Sequence, residues 1–295
     1  KHYHFLMNYQ KIILGTAQLN NIYGISNNKI KLNNQEFLKI IKLMKTYRIN
    51  KLDCAESYGN IYILKKFLTR KFEITNKIVF NYKEKNDLNT IKQKLFKLHK
   101  NKNNLEVDNL LIHNCEHISS RKFKKFYNNL IILKKMNYFK NLGFSCYKIK
   151  EINEILKKFD INVIQFPFNI FDQRLNNISL IKKIKKKKIK IQIRSIFLQG
   201  LLLNKKVRKK IQYKDKNKLF KNYENFLIQN KITEIEACIG FIKQYNFYDN
   251  IVLGVDTFKQ FKIFLEIFTK YSNNLNYSLL RSKKSKIILP YLWKK

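Results

Sequence analysis

Short apolar segments alternate along the chain with longer segments in which apolar residues recur every three or four positions. The short runs are typical of buried β-strands, whereas the longer spacing is typical of amphipathic helices. We predict strands at Lys11–Gln18, Asn50–Ala55, Phe72–Val79, Val107–Asn114, Asn141–Tyr147, Asn162–Phe168, Ile189–Phe197 and Asn250–Asp256. Strands that alternate with helices predict a parallel sheet covered on both faces.

Apolar stripes at helical spacing occupy the segments between these strands. The stripes are Phe37, Ile40, Ile41 and Met44; Leu88, Ile91, Leu95 and Leu98; Ile149, Ile152, Ile155 and Leu156; and Phe258, Phe261, Leu265 and Phe268. We expect Asn34 to cap the first of these helices. Eight strand–helix units in 295 residues predict a closed (β/α)8 TIM barrel. No linker rich in Pro, Gly or Ser interrupts the chain, so residues 1–295 are expected to form a single domain.

The net charge of +41 raises the question of a nucleic-acid partner. Nearly all the basic residues are Lys rather than Arg, and the abundant Asn, Ile, Tyr and Phe share its AT-rich codons. A compositional bias that spreads lysines over solvated helix surfaces accounts for the charge. The densest run, Lys182–Lys190, is expected to end a helix and enter a strand. We therefore expect no specific nucleic-acid partner, although charge-driven binding is one alternative function.

Cysteine usage and hydropathy predict the compartment. The chain has four cysteines and no CxxC pair, which favours a reducing environment. No stretch approaches the roughly 18 consecutive apolar residues that a membrane helix needs, and no long apolar signal core stands near the first residue. We expect a cytoplasmic protein that has no membrane partner.

Polar residues stand at the ends of the second, third and fourth predicted strands, where barrels place their chemistry. Asp53 ends the second strand and Tyr58 follows it, Lys77 lies in the third, and His113 is near the end of the fourth. A carbonyl that accepts hydride needs a proton donor and a polarising group at its oxygen. Tyr58 suits the donor, because an ammonium such as Lys77 lowers a phenol pKa. Asp53 would hold Lys77, and His113 would direct the carbonyl.

Several segments in order resemble the aldo-keto reductase family. They are LDCAESYG at 52–59, LLIHN at 110–114, LGFS at 142–145, QFPFN at 165–169 and IRSIFLQGLLL at 193–203, within a match from about Ile12 to VLGVD at 252–256. The resemblance implies reduction of an aldehyde, ketone or sugar-derived carbonyl with hydride from NADP, with NAD as the alternative. The resemblance also implies that the binding partner is a small-molecule carbonyl substrate. It also assigns catalysis to Asp53, Tyr58, Lys77 and His113.

The same resemblance suggests how the cofactor is bound. No GxGxxG follows the first strand, so a Rossmann site is not predicted. A barrel can instead bind phosphates in the loops after its seventh and eighth strands. By resemblance, Ser145 and Gln165 would hydrogen-bond the nicotinamide amide. The other cofactor-binding candidates are Arg194, Ser195 and Leu198 after the seventh strand, and Gly254 and Lys259 at the eighth.

Two further interpretations concern catalysis and metals. A barrel of this family could bind its cofactor without turnover, as a sensor or a partner subunit. His113, Cys115 and His117 alternate, and nitrogen and sulfur ligands suit zinc. Alternate residues share one face of any strand, however, and no fourth ligand is indicated. We therefore expect no metal site.

Overall fold

A closed parallel barrel forms the centre of the computed structural model, which describes residues 9–25, 31–59, 64, 72–99, 107–210 and 216–293. Each strand pairs with its neighbour in sequence, and the first closes on the last. The strands are β1 (Ile12–Gly15), β2 (Lys51–Asp53), β3 (Glu73–Ile78), β4 (Val107–Ile112), β5 (Phe139–Ser145), β6 (Val163–Pro167), β7 (Lys190–Arg194) and β8 (Asn250–Gly254). The predicted TIM barrel is confirmed.

Helices follow the strands along the chain. The described helices are α1 (Asn34–Thr46), α2 (Leu88–His99), α3 (Arg121–Lys135), α4 (Ile149–Lys158), α5 (Ile178–Lys186), α6 (Lys205–Lys210), α7 (Lys216–Gln229), α8 (Glu234–Lys243), α9 (Phe258–Lys270) and α10 (Ser285–Ile288). The predicted stripes pack into the core, with Leu88, Ile149 and Phe258 only partly buried. The side chain of Leu98 lies outside the described residues. Among the helices described, none is both long and apolar enough to cross a membrane.

The cap of α1 differs from the expectation. The Asn33 side chain accepts a hydrogen bond from the Glu36 backbone N–H at 2.9 Å, and Asn34 is already the first residue of the helix. Asn33 takes the cap because its backbone is extended (φ −79°, ψ 171°), and the cap oxygen then reaches the N–H three residues on.

The residues at which the strands begin and end also differ from the prediction. All eight strands end earlier than predicted, so His113 lies just beyond β4 rather than within it, and Tyr58 follows β2 at a distance of five residues. Strand β5 begins earlier than predicted because Phe139 pairs with Val107 and is buried, while the exposed Lys140 hides this pairing in the sequence. The basic run at 182–190 behaves as expected: α5 ends at Lys186 and β7 begins at Lys190.

Candidate active site

A cavity of approximately 460 Å³ lies at the carboxyl ends of the strands. The four predicted catalytic residues, Asp53, Tyr58, Lys77 and His113, all line it. So do four of the predicted cofactor-binding residues, namely Gln165, Arg194, Ser195 and Gly254. The barrel brings them together because parallel strands place all their carboxyl ends at one rim.

A buried ion pair forms the floor of this cavity. The Lys77 ammonium contacts the Asp53 carboxylate, and their side chains are only 2% and 3% exposed. Lys77 also donates to the Cys54 carbonyl at 3.2 Å, and Gln165 Nε2 donates to the second Asp53 oxygen at 2.8 Å. Both charges are therefore hydrogen-bonded as well as paired, which offsets the cost of removing them from water.

Tyr58 faces this pair from a short 3₁₀ turn. The turn, Glu56–Tyr58, ends at Gly59, whose φ of 65° suits glycine. The Tyr58 ring centroid lies 5.3 Å from Lys77 Nζ and 6.4 Å from the His113 ring centroid, with the two rings nearly perpendicular at 85°. A phenol, an ammonium and an imidazole thus share one wall of the cavity.

The electrostatics of Tyr58 correct one expectation. Burial raises the pKa of the Tyr58 phenol above its ordinary value of 10, Asp53 raises it further, and Arg194 lowers it. The net shift is therefore opposite in direction to the lowering expected from Lys77, because burial and the Asp53 carboxylate outweigh the nearby positive charge. The phenol keeps its proton at neutral pH, as a proton donor must.

His113 is held just beyond the end of β4. Its backbone N–H donates to the Ile78 carbonyl at 2.8 Å, which extends the β3–β4 pairing by one residue. Burial lowers the pKa of its imidazole to about 3, and the positive charges of Lys77 and Arg194 act in the same direction. The ring is therefore neutral and carries one N–H donor.

Arg194 lines the same cavity together with an aromatic partner. Its guanidinium lies 4.1 Å from the Tyr147 ring centroid and donates to the Cys146 carbonyl at 3.2 Å and to Ser195 Oγ at 3.3 Å. Arg194 thus stacks on an aromatic ring inside the cavity, where a guanidinium can still offer donors to an anion.

Sequence reasoning misses several residues that line this cavity. They include Gln18, Tyr23, Tyr147 and Gln199. Tyr147 follows the end of β5, so the strand-end rule that identified His113 would also have found it. Tyr23 lies in the long connection after β1, and its ring centroid is 6.3 Å from that of Tyr58. Nothing in its spacing marks it among the 17 tyrosines.

Ser145 and Gln165 are adjacent in register on β5 and β6. Ser145 Oγ and Gln165 Oε1 are buried and have no hydrogen-bond partner among the described residues. Buried polar atoms are normally paired, and unpaired ones are costly. Two such atoms side by side beneath the cavity are suited to a ligand amide, which offers both a donor and an acceptor.

Three of the seven predicted cofactor residues, namely Ser145, Leu198 and Lys259, do not line the cavity. Leu198 is fully buried, with a left-handed φ of 48°, and Lys259 is exposed in the first turn of α9. At the start of the same helix, the Glu36 carboxylate accepts a hydrogen bond from the Phe258 N–H at 2.9 Å. Asp256 lines the cavity close by. The cofactor roles of Leu198 and Lys259 stay predictions.

The alternating His113, Cys115 and His117 do not gather around one point. His113 faces the cavity, whereas the His117 ring packs at 4.6 Å from the Tyr82 ring. Cys115 instead lies beside Cys146 and Glu151, with the ligand atoms of all three within 4.8 Å of one another.

Comparisons with known proteins agree with this fold. The model of the aldo/keto reductase family matches residues 11–278. Similar solved structures include an aldo-keto reductase from Bacillus halodurans in its holo form (14% identity, TM-score 0.63, covering 96% of this chain and 95% of that one). They also include the glycerol dehydrogenase of Gluconobacter oxydans (14% identity, TM-score 0.65, covering 90% and 88%). No curated protein gives a significant match. The family match spans most of the sequence, and the chain therefore belongs to the aldo/keto reductase family.

Proposed function

We propose that this protein reduces the carbonyl of an aldehyde, ketone or sugar-derived compound with hydride from a nicotinamide cofactor, and that Tyr58 is the proton donor. The observation that carries the proposal is the meeting of Tyr58, His113 and the Lys77–Asp53 pair in one cavity. One similar structure is a glycerol dehydrogenase, which supports a small hydroxyl or carbonyl compound as the substrate.

The residues present fit a nicotinamide. Its carboxamide can satisfy the two unpaired buried atoms, Ser145 Oγ and Gln165 Oε1, because it carries both a donor and an acceptor. Arg194 and Ser195 offer donors at the end of β7, beside the loop where barrels commonly bind phosphate. A bound reduced nicotinamide would supply the hydride.

The chain's own residues would handle the oxygen of the substrate. As the carbonyl carbon is reduced, negative charge develops on that oxygen, and preorganised donors stabilise the charge. Tyr58 would give its hydroxyl proton to the oxygen, while the neighbouring Lys77 ammonium stabilises the phenolate left behind. His113 would donate its N–H to the same oxygen and fix its position. Asp53 holds Lys77 in place, and Gln165 in turn donates a hydrogen bond to Asp53.

Cofactor choice is open to a direct comparison. NADP is the expectation from the family, and Lys259 in the first turn of α9 could pair with its ribose phosphate. The Asp256 and Glu36 carboxylates lie at the same end of α9, and their negative charge disfavours the ribose phosphate of NADP there. Because NAD lacks this phosphate, the two carboxylates favour NAD as the alternative. The two dissociation constants, measured by fluorescence of the reduced nicotinamides, decide between them.

Tyr58→Phe tests the proton-donor role. We expect turnover to fall at least about 100-fold, because general acid catalysis contributes 10²–10⁴-fold, while cofactor affinity is unchanged. The measurement is oxidation of the reduced cofactor with a panel of carbonyl compounds. Tyr23→Phe, a second cavity tyrosine close to Tyr58, is the matched control and should keep its turnover.

A Tyr58→Phe protein that turns over a good substrate at the normal rate would refute the assignment. A wild-type protein that binds the cofactor but reduces no carbonyl compound would favour the non-catalytic sensor or partner subunit instead.

A further inference from the structure

Two cysteines meet at the rim of the barrel, outside the proposed catalytic set. Cys115 follows β4 and Cys146 follows β5, and these parallel strands pair in register up to Ile112 and Phe144. Cys115 stands three residues beyond Ile112 and Cys146 two residues beyond Phe144, so the register brings the two cysteines to within one residue of each other, and their Sγ atoms lie 3.7 Å apart. Glu151, in the first turn of α4, brings its carboxylate to within 4.8 Å of both sulfurs.

The spacing of the sulfurs matches that of two thiolates on one metal ion. Zn–S bonds of about 2.3 Å at a tetrahedral angle place two sulfurs about 3.8 Å apart. The observed 3.7 Å separation needs almost no adjustment to reach this geometry. A disulfide needs an S–S distance of about 2.05 Å, so it would require the two sulfurs to approach much more closely.

The carboxylate is already oriented by its own hydrogen bonds. Glu151 Oε2 accepts the backbone N–H groups of Tyr147 and Lys148, each at 2.9 Å. Ligands of a metal site are characteristically held by such outer contacts. Cys146 is buried, whereas Cys115 and Glu151 are half-buried, which leaves the site accessible to an ion from solvent.

We propose that Cys115, Cys146 and Glu151 form a binding site for a divalent ion of the zinc type, with water as the fourth ligand. Binding would release the two thiol protons to solvent, the two thiolates would balance the charge of the divalent ion, and the carboxylate would leave the site with one net negative charge. The ion would tie the ends of β4 and β5 together. The sequence predicts no metal because ligand spacing along one strand cannot show a partner on the next.

The site would also brace one wall of the cavity, because the Cys146 carbonyl accepts a hydrogen bond from Arg194 at 3.2 Å. The proposal does not depend on the proposed reductase activity. Its readout is therefore metal binding rather than turnover.

Titration of the fully reduced chain with Co²⁺, followed by displacement with Zn²⁺, tests the proposal. We expect one ion per chain and the absorption of a tetrahedral cobalt–thiolate centre. Cys115→Ser and Cys146→Ser should remove the thiolate absorption, and Glu151→Gln should weaken binding roughly tenfold or more. Cys238→Ala, which removes a buried thiol in α8, is the control and should bind normally.

A second measurement needs no variant. Cys115 is half-buried while the other three cysteines are buried, so it should react first with iodoacetamide. Zn²⁺ should protect it and Mg²⁺ should not, as read from a peptide map. Absence of stoichiometric binding, binding unchanged in both serine variants, or alkylation unaffected by Zn²⁺ would each overturn the proposal. So would a reduced chain that binds no ion but closes a Cys115–Cys146 disulfide under mild oxidation.

Discussion

At the scale of single residues, the Lys77–Asp53 pair decides what the site can do. Both groups are nearly excluded from water, so each depends on the other and on the hydrogen bond from Gln165. Coulombic attraction is strong in such surroundings, but the desolvation of both ions is costly. The pair therefore contributes a fixed ammonium group beside Tyr58 more than it contributes stability.

Removing both partners of this pair should cost less than the sum of the two single removals. We expect Asp53→Asn or Lys77→Met alone to lower the free energy of unfolding by about 3–5 kcal/mol, because an unpaired charge or donor stays buried. The double variant should lose less than the sum of the two, with a coupling of about 0.5–3 kcal/mol. Urea unfolding followed by circular dichroism measures all three values.

An exposed pair provides the comparison. Lys39 and Glu36 are one helical turn apart, with side chains 59% and 28% exposed, so Lys39→Met should change the free energy of unfolding by less than about 1 kcal/mol. Strict additivity of Asp53→Asn and Lys77→Met would contradict the interpretation of the buried pair.

Residue type and strand order were enough to predict Asp53, Tyr58, Lys77 and His113 as one cluster. The shift in the Tyr58 pKa was not predictable, because it depends on burial rather than on which charges are near. The proximity of Cys115 and Cys146 was also hidden, since it arises from the register between two strands and not from spacing within one.

At the scale of secondary structure, α1 shows how closely a helix start can be read from sequence. Two neighbouring asparagines offer the same side chain, and only the backbone angles decide which one caps. Periodicity located the helix itself, because Phe37, Ile40, Ile41 and Met44 pack into the core. The first residue of the helix depends on one hydrogen bond, which the Glu36 N–H donates to the Asn33 side chain. The spacing of apolar residues carries no information about this bond.

Paired alanine substitutions separate the two asparagines. Asn33→Ala should lower the free energy of unfolding by about 1 kcal/mol, because the Glu36 N–H loses its partner. Asn34→Ala, the control, loses only an exposed 3.2 Å bond from Asn20 and should have the smaller effect. Thermal unfolding of both variants measures the difference, and an equal or larger loss for Asn34→Ala would contradict the assignment of the cap.

At the scale of the whole molecule, the charge of +41 needs an interpretation consistent with an enzyme. The lysines of the run at 182–190 lie exposed at the end of α5 and the start of β7, and those at 122–125 lie exposed on α3. Charge on separate helices favours weak, non-specific attraction to polyanions over a dedicated binding surface.

Charge removal at two places tests this interpretation. We expect Lys186→Gln with Lys187→Gln, and separately Lys124→Gln with Lys125→Gln, to weaken binding to a single-stranded RNA homopolymer by the same factor. The dependence of affinity on salt should fall equally in both, because each variant loses the same number of charges. Fluorescence anisotropy at low and moderate salt measures this, and a loss confined to the 186–187 variant would indicate a localised binding surface.

The pairing of the first strand with the last also bears on how the protein is made. Ile12 of β1 lies opposite Ile251 of β8, so almost the entire chain must leave the ribosome before the barrel can close. Translation at about 5–20 residues per second leaves the edges of β1 and β7 without their final partner for many seconds. Such edges readily recruit other chains. Strand β8 is the last to be synthesised, and its pairing with β1 and β7 covers these edges. A chain cut short before Asn250 would keep the sheet open.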